Sequence, residues 1–257
     1  MMSGEELLVD AAGPVLTVTF NRPAQRNAMT WAMYQGLAEA CARADRDERI
    51  RVLVLRGAGG KAFVAGTDIA QFAEFTDGAD GVAYERRISE IVGGLAAVRV
   101  PTVAAIDGYC VGGGLAIAAA CDLRLAGQDA RFGVPIARTL GNCLSTDSLS
   151  LLVHRFGESR TTEMLLTARL LTAEEARSAG FVLTVTDELD SALAHTVERL
   201  LGHAPLSMWA TKEGLRRLRD TERPGDEDII AKVYGSADFH HAVEAFTRKE
   251  PPRWSGH

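Results

Sequence analysis

Two short segments carry residues whose types and spacing suit chemistry at the backbone. The first is Ala65-Gly66-Thr67-Asp68-Ile69, preceded by Lys61-Ala62-Phe63-Val64. Small residues at 65 and 66 let a ligand approach the main chain closely. The second is Ile106-Asp107-Gly108-Tyr109-Cys110-Val111-Gly112-Gly113-Gly114-Leu115. Here an apolar, strand-like run meets three glycines and then the helical stretch Leu115-Ala116-Ile117-Ala118-Ala119-Ala120. Glycines at a helix start expose orphan N–H groups, and the helix dipole adds positive potential there. One donor from each segment would stabilise a negative oxygen by roughly 3–4 kcal/mol per donor in a dry site. A triple glycine after a strand also suits a plain tight turn under close packing.

Other chemistries fit less well. Gly60-Lys61-Ala62 lacks the Ser/Thr and the upstream glycine of a phosphate loop, and the triple glycine lacks the third glycine of the dinucleotide fingerprint. No Cys/His cluster has zinc spacing, so no metal is expected. His240-His241 are neighbours that would not share a helix face. The four cysteines are Cys41, Cys110, Cys121 and Cys143, and the N-terminus is acidic where a secretory leader would be basic. Reduced thiols and a cytoplasmic location are the expectation. The net charge of −6, with no basic run, argues against a nucleic-acid partner. No apolar run reaches the ~18–20 residues that span a bilayer, so no membrane partner is expected.

The elements around these segments alternate. Val15–Phe20, Ile50–Leu55 and Pro101–Ile106 read as strands. Thr30 caps a helix running to Arg46, with Met33, Leu37, Ala38 and Cys41 on one stripe. Ile69 towards Ala97 is helical, with a loop around Asp77-Gly78, and Ser148–Arg155 is a further helix. This order points to an α/β fold with largely parallel pairing. From about Leu193 onward helical patterns dominate. The expected division is a core over 1–192 and a helical region over 193–257.

Taken together, the two segments resemble the signature loops of the crotonase (enoyl-CoA hydratase/isomerase) superfamily. Further matches follow in order: Asn21-Arg22-Pro23-Ala24-Gln25-Arg26-Asn27-Ala28-Met29, Cys121-Asp122-Leu123-Arg124-Leu125-Ala126, Arg131-Phe132-Gly133-Val134-Pro135, and Leu166 to Ala176 with Gly180-Phe181-Val182. The resemblance implies a spiral of ββα units with a C-terminal helical region, assembled as a homotrimer or hexamer. It implies an acyl-CoA thioester substrate and no cofactor beyond that coenzyme A. The oxyanion donors would be the N–H groups of Thr67 and Gly113. Coenzyme A would lie along Arg26, Ala28, Ala65, Gly66, Asp68 and Ile69, with Phe246 and Lys249 reaching a neighbour's coenzyme. Asp68 more often supports its loop in this superfamily. Arg26 and Lys249 also read as solvated surface charges.

The chain departs from the family where a hydratase holds two glutamates. Those positions are Ala116 and Ile136, which line the expected acyl site and transfer no protons. Beyond them lies a polar stretch, Ala137 to Asp147. Arg138 suits holding a carboxylate, Asn142 suits donating to a substrate oxygen, and Cys143 acts as nucleophile only with a lowered pKa. Superfamily dehalogenases carry an aspartate around here, and this chain has Cys143 or Ser145. Each residue also has an ordinary reading: Asn142 and Ser145 as turn and cap residues, Cys143 as core filler, Arg138 as a subunit contact. Gln71, Phe72, Phe75 and Tyr84 suit an acyl-pocket wall. Glu85 and Glu90 are the nearest carboxylates on that helix, although Arg86 and Arg87 beside them suggest a solvated face. The function expected is a lyase-type reaction through a thioester enolate, such as decarboxylation or carbon–carbon cleavage. The alternatives are a hydratase or isomerase with relocated acid/base groups, and a non-catalytic acyl-CoA-binding protein.

Overall fold

The computed structural model describes residues 5–72, 75, 78–220, 237–238, 241, 248, 250 and 253–257. Strands β1 (Leu7–Ala12) and β2 (Val15–Phe20) form a hairpin, followed by helix α1 (Trp31–Arg46). Next come β3 (Val52–Gly57), β4 (Ala62–Ala65), α2 (Gly78–Ala97), β5 (Thr102–Ile106), β6 (Tyr109–Val111) and α3 (Gly113–Ala120). Then β7 (Leu123–Ala126), β8 (Arg131–Gly133), α4 (Thr146–Phe156), α5 (Glu158–Thr167) and β9 (Leu171–Thr172) follow. The order ends with α6 (Ala173–Ser178), β10 (Thr184–Val185), α7 (Leu189–Leu201) and α8 (Pro205–Asp220).

Two strands and a helix recur as a unit. In the units β3-β4-α2, β5-β6-α3 and β7-β8-α4 the first strand enters a six-stranded sheet ordered β1-β2-β3-β5-β7-β10 and the second a four-stranded sheet ordered β4-β6-β8-β9, while β1 and β2 both join the larger sheet and β9 and β10 end the smaller and the larger one. All pairings are parallel except β1 with β2 and β8 with β9. This is the expected α/β spiral.

Side-chain alternation explains the layers. In β3, Leu53 and Leu55 point into the main core, while Val52 and Val54 point to the other face. In β5, Ala104 and Ile106 take the first face, and Val103 and Ala105 the second. A strand covered on both faces reads as a continuous apolar run, which is why these two were visible in the sequence. The second face is covered by α7 through Leu189, Leu193, Val197 and Leu200. The division expected at 192/193 therefore falls inside a helix that closes the sheet.

Helix α1 begins where Thr30 Oγ1 accepts the Met33 N–H at 3.3 Å. Its buried stripe is Met33, Tyr34, Leu37, Ala40, Cys41 and Ala44. The sequence pattern placed Ala38 on that stripe, but Ala38 is only half-buried. The stretch expected as helix from Ile69 opens as a short 3-10 turn over Ile69–Phe72, with the α-helix starting at Gly78. Among the described residues no helix is long and apolar enough to cross a membrane.

Candidate active site

The short parallel sheet sets the site's geometry. Ala65 on β4 pairs with Val111 on β6, and Val111 pairs with Gly133 on β8. The carboxyl ends of three strands thus lie side by side, and the segments after them must be neighbours. Gly112 N–H donates to Gly133 O at 2.9 Å, tying two of these ends together. Gly112 adopts φ +55°, a left-handed conformation that glycine takes without a side-chain penalty. Two residues on, a side chain at Gly114 would sit 2.2 Å from Val64 O, so α3 can pack on β4 only with glycine there. The triple glycine is thus a close-packing device and a helix start at once.

Thr67 and Gly113 line one cavity of ≈ 200 Å³ with Ala65, Gly66, Ile69 and Val111. Among the described residues, neither the Thr67 nor the Gly113 N–H donates to a backbone carbonyl. The loop holding Thr67 is fixed from both sides: Met29 N–H donates to Gly66 O, and Asp68 N–H to Met29 O, each at 2.9 Å. Behind it runs a chain of hydroxyls. Thr67 Oγ1 lies 2.8 Å from Tyr34 Oη and 2.7 Å from Tyr84 Oη. Burial raises both phenols above the usual tyrosine range. Two unengaged donors on a largely apolar wall suit a developing oxyanion.

Ala116 and Ile136 both line this cavity, so the two expected carboxylate positions present apolar side chains to it. Ala116 is 8 % exposed. Next to it a larger space of ≈ 960 Å³ opens between α2 and the 140–147 segment. Phe72, Tyr84, Glu85, Leu140, Asn142 and Leu144 line both spaces. Phe72 and Tyr84 pack edge to face with ring centres 5.0 Å apart.

The other sequence-expected residues separate into groups. Asn142 lines both spaces, while Cys143 and Ser145 line the larger one. Ser145 caps α4, its Oγ accepting the Ser148 N–H at 3.2 Å. Arg138 is exposed and lines neither space. Asp68 faces Arg22 at 2.9 Å and supports its loop, and Arg22 also donates to Ala28 O at 2.7 Å. Arg26 is exposed, with its guanidinium 5.2 Å from the centre of the Tyr109 ring. Ile69 is exposed beside Gly66. Phe246 and Lys249 lie outside the described residues. All four cysteines are free thiols. Burial pushes Cys41 and Cys121 up to about 12, which leaves them inert. Among the described residues no cluster of His, Cys, Asp and Glu is arranged to hold a metal.

Three residues gained importance only in three dimensions. Asn27 is fully buried, and its amide donates to Ala58 O at 3.0 Å and Ala62 O at 2.7 Å, holding the first loop on β4. Tyr34 lies on the buried stripe of α1, where the sequence reading had Met33, Leu37, Ala38 and Cys41, and nothing in the sequence marks its hydroxyl. Glu85 is half-buried and faces the site, where its arginine neighbours had suggested solvent.

Known proteins share this architecture over nearly the whole chain. Residues 10–257 match the family model described as enoyl-CoA hydratase/isomerase. The chain is 31 % identical to the 2,3-dehydroadipyl-CoA hydratase of Escherichia coli (strain K12), over 98 % of its own length and 99 % of the relative's. It is 36 % identical to the (E)-benzylidenesuccinyl-CoA hydratase of Thauera aromatica, covering 96 % and 98 %. Among solved structures it resembles an enoyl-CoA hydratase/carnithine racemase from Magnetospirillum magneticum, with a TM-score of 0.91, 32 % identity and coverage of 99 % and 97 %. Fold, loop order and length agree, and the chain belongs to the enoyl-CoA hydratase/isomerase (crotonase) family.

Proposed function

We propose that this protein binds an acyl-CoA thioester and works through its enolate, in a lyase- or isomerase-type reaction. The observation that carries this reading is the pair of unengaged N–H groups, Thr67 and Gly113, on the wall of one small cavity. As the enolate forms, negative charge moves to the thioester oxygen. Donors fixed there in advance stabilise that charge without reorganisation. The Tyr34–Thr67–Tyr84 hydroxyl chain keeps the Thr67 loop in place. Water addition by paired carboxylates lacks its groups at 116 and 136, although the relatives above are named hydratases. Decarboxylation of a malonyl-type thioester suits the apolar wall, because loss of carbon dioxide makes the enolate without a base. Asn142, which lines both spaces, is the residue that would orient a substrate carboxylate.

The test is mass spectrometry of an acyl-CoA panel in deuterated water: enoyl, 3-hydroxyacyl, aryl and malonyl-type thioesters. Carbon dioxide release with deuterium at the α-carbon supports a lyase, and double-bond migration supports an isomerase. Efficient water addition to the enoyl thioester refutes the claim about 116 and 136. Tight binding with no change in any thioester marks a non-catalytic acyl-CoA-binding protein.

A further inference from the structure

Enolate chemistry requires a group that moves the proton at the α-carbon. We propose that Glu85, on α2, is the catalytic acid/base of this site, in place of the carboxylates missing at 116 and 136. The inference rests on the enolate reading above.

Glu85 is the one carboxylate among the described residues lining the cavity that holds Thr67 and Gly113. It also lines the larger space, so it stands where the two meet. Tyr84, its neighbour in sequence, is bonded to Thr67, which brings this turn of α2 against the donor loop. The carboxylate is held rather than free: its Oε2 accepts the Ser145 N–H at 2.9 Å. Ser145 is in turn fixed as the cap of α4, and its Oγ lies 3.0 Å from Ser89 Oγ. Neighbouring arginines do not neutralise it. Arg86 and Arg87 are exposed, and Arg87 lies over Trp31 at 4.1 Å from the ring centre. Among the described residues Glu85 has no ion pair within salt-bridge distance. Burial raises its pKa above the ordinary carboxylate value, and the Ser145 hydrogen bonds oppose this only in part. A base shifted upward in this way holds a proton more strongly and suits transfer at carbon.

The step balances with a single group. Ionised Glu85 takes the α-proton, and the C–H electron pair passes into the enolate. The thioester oxygen then carries the charge towards the Thr67 and Gly113 N–H groups. Protonated Glu85 returns the proton to carbon, at the same position or, in an allylic thioester, at the γ-carbon. In a decarboxylation the protonated form quenches the enolate left by carbon dioxide.

Glu85→Gln is the informative change, because glutamine keeps an oxygen that accepts from Ser145 N–H. A purely structural role would survive it. The probe is α-hydrogen exchange of butanoyl-CoA in deuterated water, read by mass spectrometry, with butanoyl-CoA affinity measured by calorimetry. The expected result is exchange slowed by about 10²–10⁴-fold in E85Q, with affinity within a few-fold of the parent. The exchange rate of the parent should rise with pH through the raised carboxylate pKa, and that limb should be missing in E85Q. The other groups around Glu85 are Tyr34 and Tyr84, with Arg86, Glu90, Cys143 and Asp147 around the larger space. Both phenols stay neutral across the acid range, so they do not supply this limb. A control separates the two claims. Y34F/G113P removes the Gly113 N–H. The Tyr34 hydroxyl lies 2.5 Å from where a Cβ at position 113 would sit, so removing that hydroxyl leaves room for the proline. Exchange lost in Y34F/G113P but unchanged in E85Q overturns the Glu85 assignment and leaves the enolate reading standing. No exchange in the parent protein overturns the Glu85 assignment, and the enolate reading falls with it only if the acyl-CoA panel also shows neither carbon dioxide loss nor double-bond migration.

Discussion

At the scale of single residues, Thr67 serves in two ways that can be separated. Among the described residues its N–H donates to no backbone carbonyl and is the proposed oxyanion donor, and its hydroxyl is bonded to two tyrosines. Thr67→Val keeps the first and removes the second. The Tyr34 hydroxyl, fully buried, would then lose its bond to Thr67 and keep only the Tyr84 hydroxyl, at a cost of about 1–3 kcal/mol in urea unfolding. Adding Tyr34→Phe removes the under-bonded group, so T67V/Y34F should be less destabilised than the sum of the two single changes. An additive result would mean that the hydroxyl chain does not hold this loop. Glu85 makes a second prediction at this scale. Its pKa is raised on folding, so the folded state binds the proton more tightly than the unfolded chain. That contribution to stability is full below the unfolded pKa and is lost as pH rises through the folded value. Glu85→Gln should therefore weaken the loss of stability as pH rises from the ordinary glutamate value through the raised one. Parallel stability profiles for the two proteins would contradict a desolvated Glu85. The loops carrying Thr67, Gly113, Ala116 and Ile136 were legible because their motifs are contiguous. Tyr34 and Glu85 were not, because each depends on what another element brings beside it. A charged triplet on a helix reads as solvent-facing until a second helix is laid across it.

At the scale of elements, the start of α4 links scaffold and site. Ser145 was readable as a cap, and it is one: its Oγ meets Ser148 N–H at 3.2 Å and Ser148 Oγ at 3.1 Å. The sequence did not reveal that its own N–H is bonded to Glu85. Ser145→Ala removes the hydroxyl contacts and spares that N–H. It should cost about 1 kcal/mol in denaturant unfolding, while the acyl-CoA affinity stays close to the parent's. A large loss of affinity without loss of stability would assign the Ser145 hydroxyl to the ligand instead. The strands β3 and β5 were plain in the sequence because both faces are buried. The strands that set the site were harder to see. β6 and β8 have three residues each, too few for periodicity to show. Their register is held by backbone bonds at either end, Arg131 N–H to Gly108 O at 3.0 Å and Gly112 N–H to Gly133 O at 2.9 Å, which are properties of the assembled sheet.

At the scale of the whole molecule, the question is whether the C-terminal helices stand apart from the spiral or complete it. The sequence suggested a helical region from about Leu193, since that stretch carries helical patterns and few strand signals. Several contacts argue that α7 and α8 share the spiral's cooperativity. α7 supplies apolar side chains to the second face of the large sheet. Arg56 on β3 pairs with Asp190 on α7 at 2.9 Å. Lys212 on α8 donates to Val100 O at 2.7 Å and also pairs with Asp122. Asp122 in turn accepts from Thr102 N–H at 2.7 Å and Thr102 Oγ1 at 2.9 Å at the start of β5. The lysine side chain is 12 % exposed and the aspartate side chain 26 %, so the pair is neither fully screened nor fully desolvated. Lys212→Met keeps most of the side-chain volume and removes the charge. Asp122 retains its bonds to Thr102, which limits the cost to about 1–2 kcal/mol. If helices and spiral are one unit, thermal unfolding of K212M should stay a single transition, shifted down by several degrees. Lys212 lines neither space of the site, so acyl-CoA affinity should be unchanged. If the helices are a separate domain docked on the spiral, the same change should split the transition. The step reporting the helices would then move down and the step reporting the spiral would stay. The shape of the melting curve therefore decides where the folding unit ends.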